Sequence, residues 1–235
     1  MRNFFFFDNT DSRDFGVYIS GQGTFSSPAR SYSPLQIPGK DGDLLGTGSR
    51  LENVSLTYPA FICHDFKRNI AAFRAFLLSH EGYFRLQDSY HPDEYRMAYF
   101  PGPFEAEVVS KNDAGSFDIT FICKPQRYLM GDKEKWEFVS AGSILNPTLF
   151  NARPLIRVYG TGTVGWGSHT ITITSASTYT DIDSELEDCF EGSSNRNQYV
   201  EFSDYDFPVL KPGANGITLS AGISKVEIIP RWWTV

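Results

Sequence analysis

The sequence predicts a mainly β protein built in two parts, with one helix in the first. Three observations point there. Short β-prone runs recur along the chain between Gly, Pro, Asn and Ser turns. A single segment shows helical period. And 20 Phe, 12 Tyr and 4 Trp raise the aromatic share to 15%, a composition that favours strands and interfaces. With 235 residues, the chain is long enough for two compact units or one large all-β unit, either able to bury its own core.

The first strand material lies between Phe15 and Phe25, where an apolar alternation is broken by Gly16, Gly21 and Gly23 and followed by Pro28, Pro34 and Pro38. The segment PGKDGDLLGTGSR, Pro38 to Arg50, holds four glycines and two aspartates. It has little to bury except Leu44 and Leu45, so it reads as an exposed hairpin tip or an extended arm. Val54, Leu56 and Tyr58 then alternate with Ser55 and Thr57 as a half-buried strand requires, with a bulge or break expected at Pro59 before Phe61–Cys63 continue the register.

The period changes after Cys63. Asp65 is placed as an N-cap, Ile70, Phe73 and Leu77 are spaced for one helical face, and Gly82 is placed to end the element, so a helix is expected from Phe66 to about His80. Four short strands follow, Tyr83–Leu86, Tyr95–Phe100, Phe104–Val109 and Phe117–Cys123, joined by the turn sequences HPDE, PGP and NDAG.

A shift to charged and small residues from Lys124 to Ser143 places a domain boundary near Gly131 to Lys135, dividing the chain into residues 1–132 and 133–235. Beyond it, Leu155–Tyr159, Thr170–Thr174, Tyr179–Asp183, Tyr199–Phe202, Ile217–Leu219 and Lys225–Pro230 are short and β-prone with no helical period. That half reads as an antiparallel β-sandwich.

Charge excludes several function classes. The net charge is −7, with −2 on residues 1–135 and −5 on residues 136–235. The basic residues are scattered among acids, whereas a nucleic-acid face needs them clustered. The apolar run Phe4–Phe7 is far shorter than a signal core or a membrane span and leads into Asp8, Asp11 and Asp14, so no export from the cytosol and no membrane partner is expected. Cys63, Cys123 and Cys189 are widely spaced without a Cys-x-x-Cys pair and read as reduced, mostly buried side chains.

No residue pattern forms a catalytic or cofactor signature. Gly160, Gly162 and Gly165 spell GxGxxG, but Trp166, Gly167 and Ser168 lead into the strand-like HTITIT, whereas a dinucleotide turn must open a helix; a β-turn is expected. Asp181, Asp183, Glu185, Glu187 and Asp188 begin like a calcium loop, yet Leu186 replaces the turn glycine and Gly192 the bidentate glutamate, leaving a solvated acidic strand end. His64, His80, His91 and His169 lack metal-ligand spacing, and no nucleophile elbow is present. No catalytic residue, cofactor or metal is therefore expected. Trp166, Trp232 and Trp233 fit either core filling and subunit contact or a sugar-stacking platform.

The segments GVYISGQGTFSSPAR (Gly16 to Arg30), IPGKDGDLL (Ile37 to Leu45) with Arg50 and Glu52-Asn53, FICKPQRYL (Phe121 to Leu129), NPTLFNARPLIRVYGTG (Asn146 to Gly162) and LKPGANGITLSAGISKVEIIPRWW (Leu210 to Trp233) occur in the order found in siphophage distal tail proteins. Together they resemble that family, the Dit proteins of the baseplate or tail tip in phages of Gram-positive bacteria, over nearly the whole chain. Lys40-Asp41 departs from the family, which has Arg-Asn there.

The resemblance implies a tail-tube-like N-terminal β-sandwich with one helix, assembled into a homohexameric ring, and a peripheral galectin-like C-terminal antiparallel β-sandwich. Such a ring is a non-catalytic structural hub of the virion's tail tip, made in the bacterial host cytoplasm. It joins the tail tube protein to the tail-tip protein and, where present, receptor-binding proteins, and DNA only passes through its lumen, whose lining should be acidic or neutral. Galectin-like describes a fold and does not bring sugar binding with it. The expected subunit-interface residues are Pro38, Gly39, Lys40, Asp41, Gly42, Asp43, Leu44 and Leu45, an arm suited to engaging a neighbour. A carbohydrate-binding adhesin acting through the C-terminal sandwich is the alternative.

Overall fold

The computed structural model describes residues 2–20, 25–46, 50–110, 113–131, 134–175 and 177–235. Gly21 and Gly23, positions 47–49 of the expected arm, Asn112 of the expected NDAG turn, and Asp132 and Lys133 at the expected boundary lie outside the described residues. The chain forms two compact units, one of Met1–Arg127 with Val235 and one of Tyr128–Thr234. The fold is mainly β, in antiparallel sheets, with one α-helix among the described residues.

The first unit contains strands β1 (Phe5–Phe7), β2 (Thr10–Asp11), β3 (Val17–Ile19), β4 (Pro34–Gln36), β5 (Asp43–Leu45), β6 (Val54–Ile62), helix α1 (Phe66–Leu78), β7 (Phe84–Asp88), β8 (Glu94–Tyr99), β9 (Ala106–Ser110) and β10 (Ala114–Leu129). Its main sheet runs β2-β1-β7-β8-β10-β6-β3, with β9 on the first residues of β10. The spine is the β6–β10 pair, nine partners in register from Val54↔Cys123 to Ile62↔Gly115. Alternation along β6 sends Val54, Leu56, Tyr58, Ala60 and Ile62 inward, as the twofold period of a strand requires.

The N-terminal aromatic run is a strand. Phe5 and Phe7 are buried, and Phe5 stacks on Tyr58 at 5.7 Å while Phe7 lies 5.1 Å from Phe121. The helix lays Phe66, Ile70, Phe73 and Leu77 on this core, with Phe73 6.0 Å from Phe117.

Two expectations about this unit are corrected. Pro59 neither bulges nor breaks β6, because it sits in register opposite Asp118. Its carbonyl turns towards Ser20, whose N–H donates to it at 2.8 Å. The missing N–H would face that same side, opposite Ser20 and one residue beyond the last partner on β3, Ile19, so the proline forfeits only the reciprocal bond to Ser20, where that pairing has ended. Asp65 occupies the N-cap position in a left-handed conformation (φ 51°) without a side-chain cap bond. Asp113 takes over: its carboxylate accepts from Asp65 N–H and its carbonyl from Phe66 N–H. The helix starts at Phe66 as expected and runs to Leu78 with Ser79 as its C-cap, within two residues of the expected end, and the Ser79 hydroxyl and the His80 ring meet the Phe76 carbonyl there.

The second unit is a two-sheet sandwich. Its strands are β11 (Trp136–Phe138), β12 (Gly142–Asn146), β13 (Leu155–Gly160), β14 (Gly162–Trp166), β15 (His169–Ile173), β16 (Thr180–Asp183), β17 (Asp188–Glu191), β18 (Ser194–Asn195), β19 (Val200–Phe202), β20 (Gly213–Leu219), β21 (Ile223–Ile229) and β22 (Trp233–Thr234). One sheet runs β11-β21-β13-β16-β17-β18 and the other β12-β20-β14-β15-β19. Ile156, Val158, Ile182 and Ile228 from the first and Ile144, Val164, Ile171 and Ile217 from the second form one core.

The glycines of the GxGxxG string serve close backbone approach. Gly160 ends β13 at φ 105°, and a Cβ there would lie 2.2 Å from the Gly222 carbonyl oxygen. Gly165 lies inside β14 against Thr218, so the string spans two strands, and the turn expected over it falls instead between Trp166 and His169.

The solvated acidic strand end is also overturned for two of its members. Thr180 and Ile182 point into the core, and the alternate Asp181 and Asp183 are buried on the other face, 3% and 4% exposed. Arg157 clamps Asp181 with bonds of 2.7 and 2.8 Å and lies over the Tyr179 ring. Arg231 clamps Asp183 at the same distances. Both pairs are bidentate guanidinium–carboxylate forks, the geometry in which such a pair is strongest.

Candidate functional site

The residues singled out from the sequence form an exposed hairpin. Its base is closed by an Arg30↔Leu51 bridge, flanked by Ser31 N–H donating to the Arg50 carbonyl (3.0 Å) and Glu52 N–H to Ala29 (2.9 Å). Strands β4 and β5 pair Pro34↔Leu45, Leu35↔Leu44 and Gln36↔Asp43. Pro38, Gly39, Lys40, Asp41 and Gly42 make the connection, and Asp43, Leu44 and Leu45 are β5 itself. The tip begins as a type II turn: Lys40 N–H donates to the Ile37 carbonyl at 3.1 Å, and Gly39 in the third position has φ 78°, with proline in the second position where this turn favours it.

Every residue from Ser31 to Gly46 is exposed. The register puts Leu35 and Leu44 side by side on one face of the ribbon and Pro34 and Leu45 on the other. Leu35, Leu44 and Leu45 remain 60%, 56% and 55% exposed. An isolated two-stranded ribbon is marginal in water and gains stability by adding strands or packing a face. The arm thus presents two small apolar faces and a charged tip of Lys40, Asp41 and Asp43.

Pro34 and Leu35 belong to this surface but carried no signal of their own in the sequence. The signal was relational: PLQI and DLL flank PGKDG at hairpin spacing, which pairs each apolar residue of β5 with one of β4.

The other candidates disperse. Trp166 and Trp232 are buried, 3% and 7% exposed, and Trp233 stacks on Phe150 at 4.4 Å, so the three tryptophans form no exposed platform. His80 packs against Phe7, Phe76 and Phe84. Among the described residues no group of three His, Cys, Asp or Glu side chains is arranged to hold a metal ion, and no helix is long and apolar enough to cross a membrane. Burial pushes the Cys123 and Cys189 thiols up to about 12. His169 does find a partner: its Nδ1 lies 2.7 Å from Asp204 Oδ2, a meeting across 35 residues that spacing alone does not announce.

No family model matches the sequence, and no curated protein matches it. Among solved structures, the crystal structure of the Dit (gp 19.1) protein of phage SPP1 superposes over the full length of both chains, 100% of each, with a TM-score of 0.73 at 15% identity. This chain has a Dit-like fold. The SPP1 protein is described as a paradigm of the hub adsorption apparatus in phages infecting Gram-positive bacteria. At 15% identity the likeness is one of fold, since fold survives where individual contacts have been replaced. The Dit-like fold accounts for the mainly β class, the single helix and the β-sandwich architecture together, whereas the arm residues must be judged on their own geometry.

Proposed function

We propose that this protein is a structural hub of a phage tail tip, carried in the virion and without catalytic activity. The observation that carries the reading is the Dit-like fold over the entire chain. In this reading residues 1–132 close into a homohexameric ring that continues the tail tube. Residues 133–235 form a galectin-like periphery that meets the tail-tip protein and, where present, receptor-binding proteins, and DNA crosses only the lumen.

The arm supplies the fastening. Leu44 and Leu45, with Pro38 to Asp43 around the tip, bury against the adjacent subunit, which removes apolar surface from water at about 25 cal/mol per Å² and gives the ribbon the packing that it lacks alone. A heterologous contact of this kind closes into a ring when the rotation between neighbours divides the circle.

Light scattering with negative-stain images tests both statements. The expected particle is a six-fold ring of about 160 kDa, six times the 26.5 kDa chain. A monomer at all accessible concentrations, with the tail tube and tail-tip proteins also present, overturns the hub. Rings of unchanged mass from a Leu44→Asp, Leu45→Asp double variant overturn the role of the arm.

A further inference from the structure

The second unit contains a pocket of about 260 Å³ between the β14–β15 turn and the loop from Ser203 to Val209. We propose that it is a subsite for one ring of an uncharged saccharide.

The loop is held in place at both ends. Ser203 exchanges two bonds with Thr170, N–H to carbonyl at 3.1 Å and Oγ from N–H at 3.0 Å, and the indole N–H of Trp166 donates to the Val209 carbonyl at 2.8 Å. Asn215 spends its amide on Lys211, accepting from its N–H and donating to its carbonyl, both at 2.8 Å, which seats Lys211 at the rim. A site held this way loses little entropy on binding.

Its chemistry divides into floor and rim. Phe202 and Phe207, with ring centroids 4.8 Å apart, contribute apolar surface. His169, Asp204, Asp206 and Lys211 converge around it. Asp204 is bonded through Oδ2 to His169, and Asp206 through Oδ1 to the Phe207 N–H at 3.1 Å, so each carboxylate keeps one oxygen for a ligand. Lys211 has no ion-pair partner among the described residues.

Aromatic carbon below and a mixed ring of acceptors and donors around it fit a pyranose, which has an apolar C–H face and an edge of hydroxyls, each both donor and acceptor. A nucleotide would need several cations where the rim has one lysine and two carboxylates. A lipid chain would need an unbroken apolar slot.

A second observation points outward from the same rim. Tyr205, between the two carboxylates, is 99% exposed at φ 60°. A β-carbon-bearing residue enters that region at a cost, and a ring so exposed stabilises nothing within its own chain. Its chain neighbours Asp204 and Asp206 line the pocket while it does not, so in this proposal the free ring is offered to a second sugar unit.

The inference is independent of ring assembly. The test is saturation-transfer NMR on the full chain with glucose, galactose, N-acetylglucosamine and lactose. Affinity on the order of millimolar is expected for at least one of them, weakened about tenfold or more by Phe207→Ala and by Asp204→Asn, and unchanged in the Leu44→Asp, Leu45→Asp arm variant. Should Phe207→Ala fail to fold, the exposed substitutions Lys211→Ala and Asp206→Asn carry the comparison. No response at tens of millimolar, binding indifferent to every pocket substitution, or displacement of the sugar reading by a peptide that alone fills the pocket overturns the proposal. Rings without sugar binding would leave the hub standing, and a sugar-binding monomer would leave the pocket standing.

Discussion

Thiol chemistry separates the three cysteines. Cys63 is half-buried, whereas Cys123 and Cys189 are buried, and burial holds their thiols protonated far above neutral pH. Since only the thiolate attacks, a disulfide reagent on the native protein at neutral pH should titrate one thiol promptly and the other two only on unfolding. Prompt reaction of two or three would contradict the core as described. The Arg231–Asp183 fork makes a second case. Burial raises the Asp183 carboxyl, and bonds from Arg231 and from the N–H groups of Leu186 and Glu185 more than reverse it, leaving the group below its ordinary value of 3.8. A depressed carboxyl stabilises the fold above the unfolded-state value near 4, and that contribution drains away as pH falls through the lower folded value. Arg231→Ala should cost about 2–3 kcal/mol at neutral pH, less than the ~3–5 of a fully buried pair because the arginine side chain is 22% exposed. It should also flatten the acid limb of the stability profile, read by urea unfolding between pH 3 and 7. The acidic residues themselves were plain in the sequence, but their burial was not, because the arginines that neutralise them lie 24 and 48 residues away.

Elements were legible where one period governs them. The α1 face, the alternation of β6 and β10 and six strands of the second unit, β13, β15, β16, β19, β20 and β21, follow from spacing alone. Misreadings cluster where a distant partner decides. Phe4–Phe7 is too short to announce a strand, and becomes one because β7 pairs with it, Phe5↔Asp88 to Phe7↔Leu86. The charged stretch after Cys123 carries β10 on to Leu129, where Lys124 lies over the Tyr83 ring at 5.3 Å and Arg127 pairs with Glu94 at 3.4 Å. Phe5 therefore carries more than its terminal position suggests: Phe5→Ala should cost about 3–5 kcal/mol, measured by chemical denaturation, and a loss below ~1 kcal/mol would show that β1 is dispensable. The arm offers an element-scale test of its own. Lys40 sits at an exposed hairpin tip, the kind of site proteases prefer, so brief trypsin treatment of dilute protein should cut after Lys40. Under assembling conditions the same bond should be protected if the arm is buried by a neighbour.

At the scale of the molecule, order was more readable than chemistry. Five sequence segments in one order led to the fold that the SPP1 protein shares over its whole length, although 15% identity leaves few side chains in common. Topology is set by turns, alternation and a small number of backbone approaches such as Gly160 against Gly222, which tolerate wholesale replacement of surface residues. A pocket built from a loop, a turn and a lysine 42 residues from His169 leaves no such trace in a single sequence.

The uncovered ribbon of β4 and β5 has a further consequence, one of mass action. If its apolar faces are satisfied only by a second subunit, the native state is stabilised by its own concentration, in the same way that a ligand stabilises a receptor. The melting temperature of the wild-type chain should then climb as protein is concentrated, while that of the Leu44→Asp, Leu45→Asp variant stays level. Newly made subunits would thereby be at their least stable while they are scarce, and would reach full durability only as assembly begins.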